Sequence, residues 1–372
     1  MSEALGRDGD VVLSVDEHNT LVEAAFVARG FSQEEAEAAS RIACSATWHG
    51  NRTHNALKAL HIDELFGSQA GGCTPGAEIR RVGEGRFKAV HRWDAQKKMG
   101  QWVAYKAMDE CMRLASEYGV GVVTVDNAFH YLWGGGYALY AAERGFIAYT
   151  QCTSTLAEVV PFQGSVPTLG TNPHTWAFPT QDAIGFPVLV DWATSTVAMG
   201  RIQQLQRDGK QIPPGVAVDA EGKETLDPSK VSALMPFGAH KGYGLSLVDE
   251  LYAAYGGGSL PTCRGRTSSG AEGEKYTCNL FFQCFCPEAV SGGSFAAGRT
   301  QDENVKAVLG DIMGHGNSPP TGRAILPGQM EADAARFSEK AGGLVFSPAE
   351  AKELEQVAAK LGVKINPRPL KS

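Results

Sequence analysis

Residues 120–139 read VGVVTVDNAFHYLWGGGYAL. Val120–Val125 is an apolar run of strand length, which predicts a buried strand. The polar turn DNAFH follows, and three glycines then lead into an Ala-rich stretch that predicts a helix over about 134–144. Strands alternating with helices imply an α/β sheet. Three further stretches set polar turns against apolar runs: PFQGSVPTLGTNPHTWAFPT (161–180), PVLVDWATSTVAMGRI (187–202) and FGAHKGYGLS (237–246). Short polar residues at strand ends are where α/β proteins place their sites. Here they offer His130, Asn172, Asp191, His240 and Lys241.

Outward from these turns, Ser14-Val-Asp-Glu17 and Ser32-Gln-Glu-Glu35 are capping boxes, predicting helices over about 15–29 and 33–47. Asn55–Phe66 suits a helix, 67–77 a Gly-Pro-rich loop, and 97–118 a further helix. Phe146–Thr150, Pro187–Asp191 and Leu280–Phe285 predict strands. Ala193–Asp208 predicts a helix starting right after Asp191, whose carboxylate the helix dipole would favour. The polar 209–231 predicts a surface excursion, His240–Tyr255 a helix, and 264–276 a mobile loop. Ser347-Pro-Ala-Glu350 opens a helix with Pro in its first turn.

Composition bounds the function. The 372 residues, 43% hydrophobic and 20% charged, suggest a globular chain of about two domains. The net charge of -7 and the lack of a Lys/Arg block argue against a nucleic-acid partner. Neither a signal peptide nor an apolar span long enough for a membrane is evident, and the eight cysteines form no CxxC pair. Reduced thiols in a cytoplasm are the natural expectation. No GxGxxG follows a strand and no GxxxxGK[ST] occurs, so a standard dinucleotide or ATP loop is unsupported.

GTNP (170–173), DWATS (191–195) and HKGYG (240–244), in that order, resemble the malate/L-lactate dehydrogenase family of type 2, from about Ser14 to about Met330. The family comprises NAD(P)-dependent 2-oxo-acid reductases that lack a Rossmann domain, which fits the missing fingerprint. Members act on malate, lactate, sulfolactate, ureidoglycolate, diketogulonate and cyclic imino acids. The resemblance implies an α/β, non-Rossmann fold, a homodimer and NADPH or NADH as cofactor. A cofactor-binding domain over 120–300 is expected beside a mainly helical, substrate-side part formed by 1–119 and 301–372.

It also implies roles for residues. In HGNRTHNALK (49–58), Thr53-His54-Asn55 stands in place of the family's Ser-His-Gly, which makes His54 the acid/base. An imidazole titrating near neutrality suits that task. Lys58 then takes the usual Arg position and would hold a carboxylate as a point charge. A second register puts His49-Gly50 on the His-Gly pair, so His49 stays a candidate. His130 matches a family histidine expected near substrate or nicotinamide, and Thr53 and His49 are further expected substrate contacts. Asp191 would orient the catalytic histidine or the nicotinamide amide. Gly135, Thr171, Asn172, Pro173, Thr194, Ser195, His240, Lys241 and Gly242 are the expected cofactor contacts, with Arg201 and Arg323 as weaker phosphate candidates.

The expected reaction is hydride transfer between NAD(P)H and a small 2-oxo acid, with a cyclic imino acid (piperideine- or pyrroline-2-carboxylate) as alternative substrate. From other classes, a metal-dependent hydrolase on His49, His54 and His61 and a non-catalytic binding protein also stay open. The histidine spacings match no common zinc pattern.

Overall fold

The computed structural model describes residues 6–83, 85–207, 209–257, 276–314 and 324–371. Arg323 and residues 264–275 of the expected mobile loop lie outside them.

The chain begins with β1 (Val11–Leu13), α1 (Val15–Val27), α2 (Gln33–Trp48) and α3 (Ala56–Phe66). Both capping boxes form as the sequence predicts, from Ser14 with Glu17 and from Ser32 with Glu35. There follow β2 (Arg80–Val82), β3 (Val90–Asp94), α4 (Gly100–Tyr118), β4 (Val120–Ala128), α5 (Gly134–Ala142) and β5 (Ile147–Cys152). Next come β6 (His174–Phe178), α6 (Gln181–Ile184), β7 (Val188–Trp192), α7 (Met199–Arg207), β8 (Ala217–Val218), β9 (Ala233–Leu234) and α8 (His240–Gly257). The rest is β10 (Cys278–Phe285), α9 (Pro287–Ser291), α10 (Gln301–Gly314), α11 (Gln329–Ala341), β11 (Leu344–Phe346), α12 (Pro348–Leu361) and β12 (Arg368–Pro369).

The central sheet has seven strands in the order β2-β3-β4-β10-β5-β6-β7. Its pairs are antiparallel except β3 with β4. The two faces are covered differently. Gly121 sits so close to α4 that a Cβ there would lie 2.1 Å from the Cys111 carbonyl oxygen. Val123 and Val125, on the same face by the two-residue period, are fully buried. Thr124 points the other way, toward α8 at Gly256. On β10, Phe282 enters the large core while Phe281 packs on Tyr252 of α8, ring centroids 4.7 Å apart. One core therefore joins the N-terminal helices to the sheet, and α8 lies across the far face.

Two smaller sheets tie down the rest. β1 pairs antiparallel with both β11 and β12, so the two ends of the chain meet. The excursion expected over 209–231 is more ordered than its polarity suggests. Its β8 pairs with β9, and Ile212, Val216 and Ala217 share a second core with Val159, Leu169, Ile202 and Leu234.

The helix predicted from Ala193 begins only at Met199. Residues 194–196 spend their backbone groups elsewhere: Thr194 N–H donates to Thr171 O, Phe237 N–H to Thr194 O, and Thr196 N–H to Met235 O. A segment committed to two neighbouring loops has no groups left for a helical turn. Asp191 is consequently the penultimate residue of a strand and caps no helix.

Candidate active site

The sequence places three polar turns far apart, and the fold stitches them together. Thr194 Oγ1 donates to Thr171 O at 3.0 Å, which joins GTNP to DWATS. Gly242 closes the third turn. A Cβ on it would lie 2.5 Å from Phe237 O and 2.6 Å from Thr194 O, so the first turn of α8 approaches only as glycine. Asn172 is fully buried and adopts φ +33°. Its amide nitrogen donates to Ser246 Oγ and Glu250 Oε1, each at 3.0 Å, and its oxygen accepts from Ser154 N–H. It therefore ties the turn to α8 and turns its side chain away from the cleft.

The result is a cleft of about 750 Å³, walled by Tyr131, Trp133, Trp192, Val197, Phe237 and Leu245. His54, His130, Thr171, Pro173, Asp191 and Ser195 also line it. That volume and mostly apolar wall, with a few convergent polar groups, suit a small-molecule or cofactor site. The other expected contacts lie around it. Thr194 and Gly242 hold the loops, and His240 and Lys241 are solvent-exposed at the start of α8, with His240 against Phe162.

His54 ends a short 3-10 turn, Arg52–His54, that is anchored on both sides. Arg52 bonds Asp10 at 2.7 Å. Asn55 caps α3 through Lys58 N–H and donates to Glu350 Oε1 at 2.8 Å, so α12 holds the turn from behind. Asn51 Oδ1 accepts from Thr53 Oγ1 at 2.9 Å and faces His54 Nδ1 at 3.1 Å. His54 Nδ1 is also 3.0 Å from Thr53 Oγ1. With that hydroxyl donating to Asn51, both neighbours of Nδ1 act as acceptors, an arrangement satisfied by a neutral ring that carries its proton on Nδ1 and has Nε2 as a base. Burial lowers the His54 pKa to about 4, and the Lys58 ammonium acts in the same direction.

His130 has the complementary tautomer. Its Nδ1 accepts from Leu132 N–H at 2.9 Å, so the ring proton sits on Nε2 as a donor. Burial, then His54 and Lys58, push its pKa down to about 3. His49 stands apart. Its Nδ1 donates to Ser45 O at 2.8 Å, and its ring packs on Trp133 outside the cleft lining.

Asp191 is held by two donors, Trp133 Nε1 at 2.8 Å and Thr175 Oγ1 at 2.6 Å. Asp191 is open to the cleft, and desolvation by the surrounding walls raises its carboxyl above the ordinary range, against the pull of those two hydrogen bonds. The glycines 134–136 explain how the indole gets there. A Cβ on Gly135 would lie 2.4 Å from the Trp133 ring, one on Gly136 2.4 Å from Ile42 Cδ1, and one on Gly134 2.7 Å from Thr175 Oγ1. The run serves close packing. Trp133 and Thr175 are site residues the sequence reading did not single out for Asp191. The Thr175–Asp191 pairing appears only once β6 is recognised opposite β7.

No group of three His, Cys, Asp or Glu side chains arranged for a metal ion occurs among the described residues. Likewise, no described helix is long and apolar enough to cross a membrane.

Residues 13–355 match the family model for malate/L-lactate dehydrogenase. The chain belongs to the malate/L-lactate dehydrogenase family. Among its relatives, malate dehydrogenase of Pyrococcus horikoshii is 35% identical over 62% of this chain and 65% of its own length. L-sulfolactate dehydrogenase of Methanocaldococcus jannaschii is 32% identical, over 81% of this chain and 84% of that one. Delta1-piperideine-2-carboxylate reductase from Pseudomonas syringae superposes with a TM-score of 0.76 at 27% identity, covering 93% and 99% of the two chains. The fold of this family member is thus the non-Rossmann α/β fold that the resemblance implied, and its chemistry is that of a dehydrogenase. The metal-dependent hydrolase reading finds no support in either the family or the histidine geometry.

Proposed function

We propose that the protein transfers hydride between NAD(P)H and a small 2-oxo acid, with His54 as general acid/base. The observation that carries this is the pair of histidines lining one cleft, His54 with Nδ1 facing the Asn51 amide oxygen and His130 with Nδ1 accepting a backbone N–H. The cofactor, when bound, supplies the hydride for reduction and accepts it in the reverse direction. Thr171, Pro173, Ser195 and the aromatic wall would hold it, and the cleft's volume and apolar lining fit a nicotinamide nucleotide. His130, through Nε2–H, offers a hydrogen bond to the substrate oxygen. In oxidation His54 takes the hydroxyl proton on Nε2 and becomes imidazolium, and in reduction it is the imidazolium form that gives a proton from Nε2 to that oxygen. Lys58 supplies positive charge for the carboxylate. Asp191 presents a carboxylate fixed by Trp133 and Thr175, which suits orienting a partner in the cleft. In this reading residues 120–300 carry the cofactor, and the two ends of the chain bring His54 and Lys58.

The test is oxidation of NADPH and NADH in parallel, against 2-oxo acids with and without methylamine and against cyclic imines. Turnover with plain 2-oxo acids supports the reading. Turnover with imines alone moves the protein to the imino-acid reductases, a reading favoured by its likeness to the piperideine-2-carboxylate reductase. Cofactor binding without turnover would make it a binding protein.

The sign of the pH dependence follows from His54. With its pKa lowered to about 4, the free enzyme holds a neutral base at pH 7. For oxidation of a hydroxy acid, kcat/KM should stay flat above about pH 5 and fall below it, while reduction should slow as pH rises. Lys58→Ala removes a charge that disfavours the imidazolium, so its acid limb should move upward. A limb at the unperturbed value near 6.5, or identical limbs for the two proteins, would remove Lys58 from this role.

A homodimer is part of the same proposal. α8 leaves Leu247, Val248, Leu251, Tyr252 and Tyr255 exposed, Tyr255 at 92%. Their spacing places them on one helical stripe, the kind of face a second copy covers. Leu251→Glu should convert a dimer to monomer in sedimentation. A parent protein that sediments as a monomer would refute the assignment. Cys44, Cys73, Cys111, Cys152, Cys284 and Cys286 form no disulfide, which supports a cytoplasmic setting.

A further inference from the structure

Behind the cleft wall lies a buried polar chain that the proposed reaction does not use. His174 of β6 stands directly opposite Trp192 of β7. Their rings stack with centroids 5.4 Å apart and planes 9° from parallel. Trp192 lines the cleft, whereas His174 is 3% exposed and lies behind it. The imidazole is bound on both edges. Nδ1 is 2.6 Å from the Tyr149 hydroxyl on β5, while Nε2 is 3.3 Å from Leu245 O and 3.2 Å from Asp249 Oδ2, both on α8. Asp249 is itself 2% exposed, and Tyr149 is packed against Trp176.

A position in the middle of a sheet needs only an apolar side chain to fill it. A buried imidazole beside a buried carboxyl costs desolvation that such a side chain avoids. What it provides is direction. One ring bonds β5 and α8 and stacks on β7, so it fixes Trp192 relative to Leu245. Those two residues belong to walls of the same cleft.

We propose that Trp192 is a stacking platform for a planar heteroaromatic ring of the dinucleotide, and that His174 is the positioning residue that holds this platform in register with α8. The proposal rests on the cleft being the cofactor site. An indole face on an otherwise apolar wall matches a flat ring better than it matches a small 2-oxo acid.

The test is a fluorescence titration of NADH and NADPH into the full-length protein and the variants W192A, W192F, H174A and H174F. W192A should weaken binding about tenfold, the effect of losing one ring–base stack, and W192F should stay within about threefold because it keeps an aromatic face. H174A, which loses stack and bonds together, should weaken binding about fivefold, and H174F should recover part of it by restoring the ring. In steady state H174A should raise the cofactor KM while kcat stays within about twofold, as expected when uniform binding alone is lost. Quenching of tryptophan emission by cofactor should be smaller in W192F than in the parent. Both alanine variants binding within twofold of the parent would overturn the proposal. If H174A does not fold, as judged by its melting curve, the Trp192 pair decides alone. Failure of the parent to bind either cofactor would instead refute the cofactor reading of the cleft, and this inference with it.

Discussion

His54→Ala should lower kcat by about 10²- to 10⁴-fold, the usual contribution of a positioned acid/base, while leaving cofactor affinity unchanged. The expectation of so large an effect comes from how the ring is held. Asn51 fixes one nitrogen, Asp10 and Glu350 anchor the turn on either side, and Nε2 is left for the substrate. The two parameters separate the roles, with steady-state kinetics giving kcat and a direct titration giving cofactor binding. A loss below about tenfold would transfer the proton to another group, and His130 would be the first to test. Equal losses in kcat and in cofactor binding would instead mean that the turn had collapsed.

Gly100→Ala should be the most damaging single-methyl change near the cleft. A Cβ there would lie 1.9 Å from Phe129 O and 2.7 Å from both the carbonyl carbon and oxygen of His130. Those atoms are backbone, so no rotamer change relieves the clash. The cost is expected to be roughly 3 kcal/mol of stability, at the upper end for overpacking, and the displaced segment carries His130. Gly121→Ala is the matched control. Its Cβ meets the Cys111 carbonyl at 2.1 Å, well inside the core and away from the cleft lining. Denaturation should show comparable losses for the two variants, whereas kcat/KM should fall further for Gly100→Ala. Equal activities at equal stability would break the link between Gly100 and His130.

The amino-acid sequence was sufficient for features that depend on neighbours along the chain. The capping boxes at Ser14, Ser32 and Ser347 form as written, because N-cap and N3 are three residues apart and need no tertiary partner. The strand at Val120 and the helix after it follow from local apolar pattern, although β4 runs on to Ala128. β1, β2 and β11 are only three residues long, and the five residues of β6 open on the polar His174 and Thr175. Strands so short carry too few periods to be recognised, and pairing with distant partners supplies what propensity lacks. The same competition explains the late start of α7: the 193–198 stretch is helical by pattern, but Thr171, Met235 and Phe237 take its backbone groups.

The candidate site divides along the same line. Which side chains meet was legible: His54, His130 and Asp191, singled out from the motif turns, all line the cleft, and those turns fall within the residues that match the family model. How those side chains are held was not. The proton positions on the two histidines depend on Asn51 and on Leu132 N–H, and the Asp191 carboxyl depends on Trp133 and Thr175. Asn172 shows the limit from the other side, a polar turn residue whose hydrogen bonds all point inward to Ser154, Ser246 and Glu250. Residue type and local spacing are written in one dimension and suffice to say which groups are present. Tautomer, burial and orientation are set by atoms that meet only after the strands have paired and the helices have packed, and these the tertiary structure alone decided.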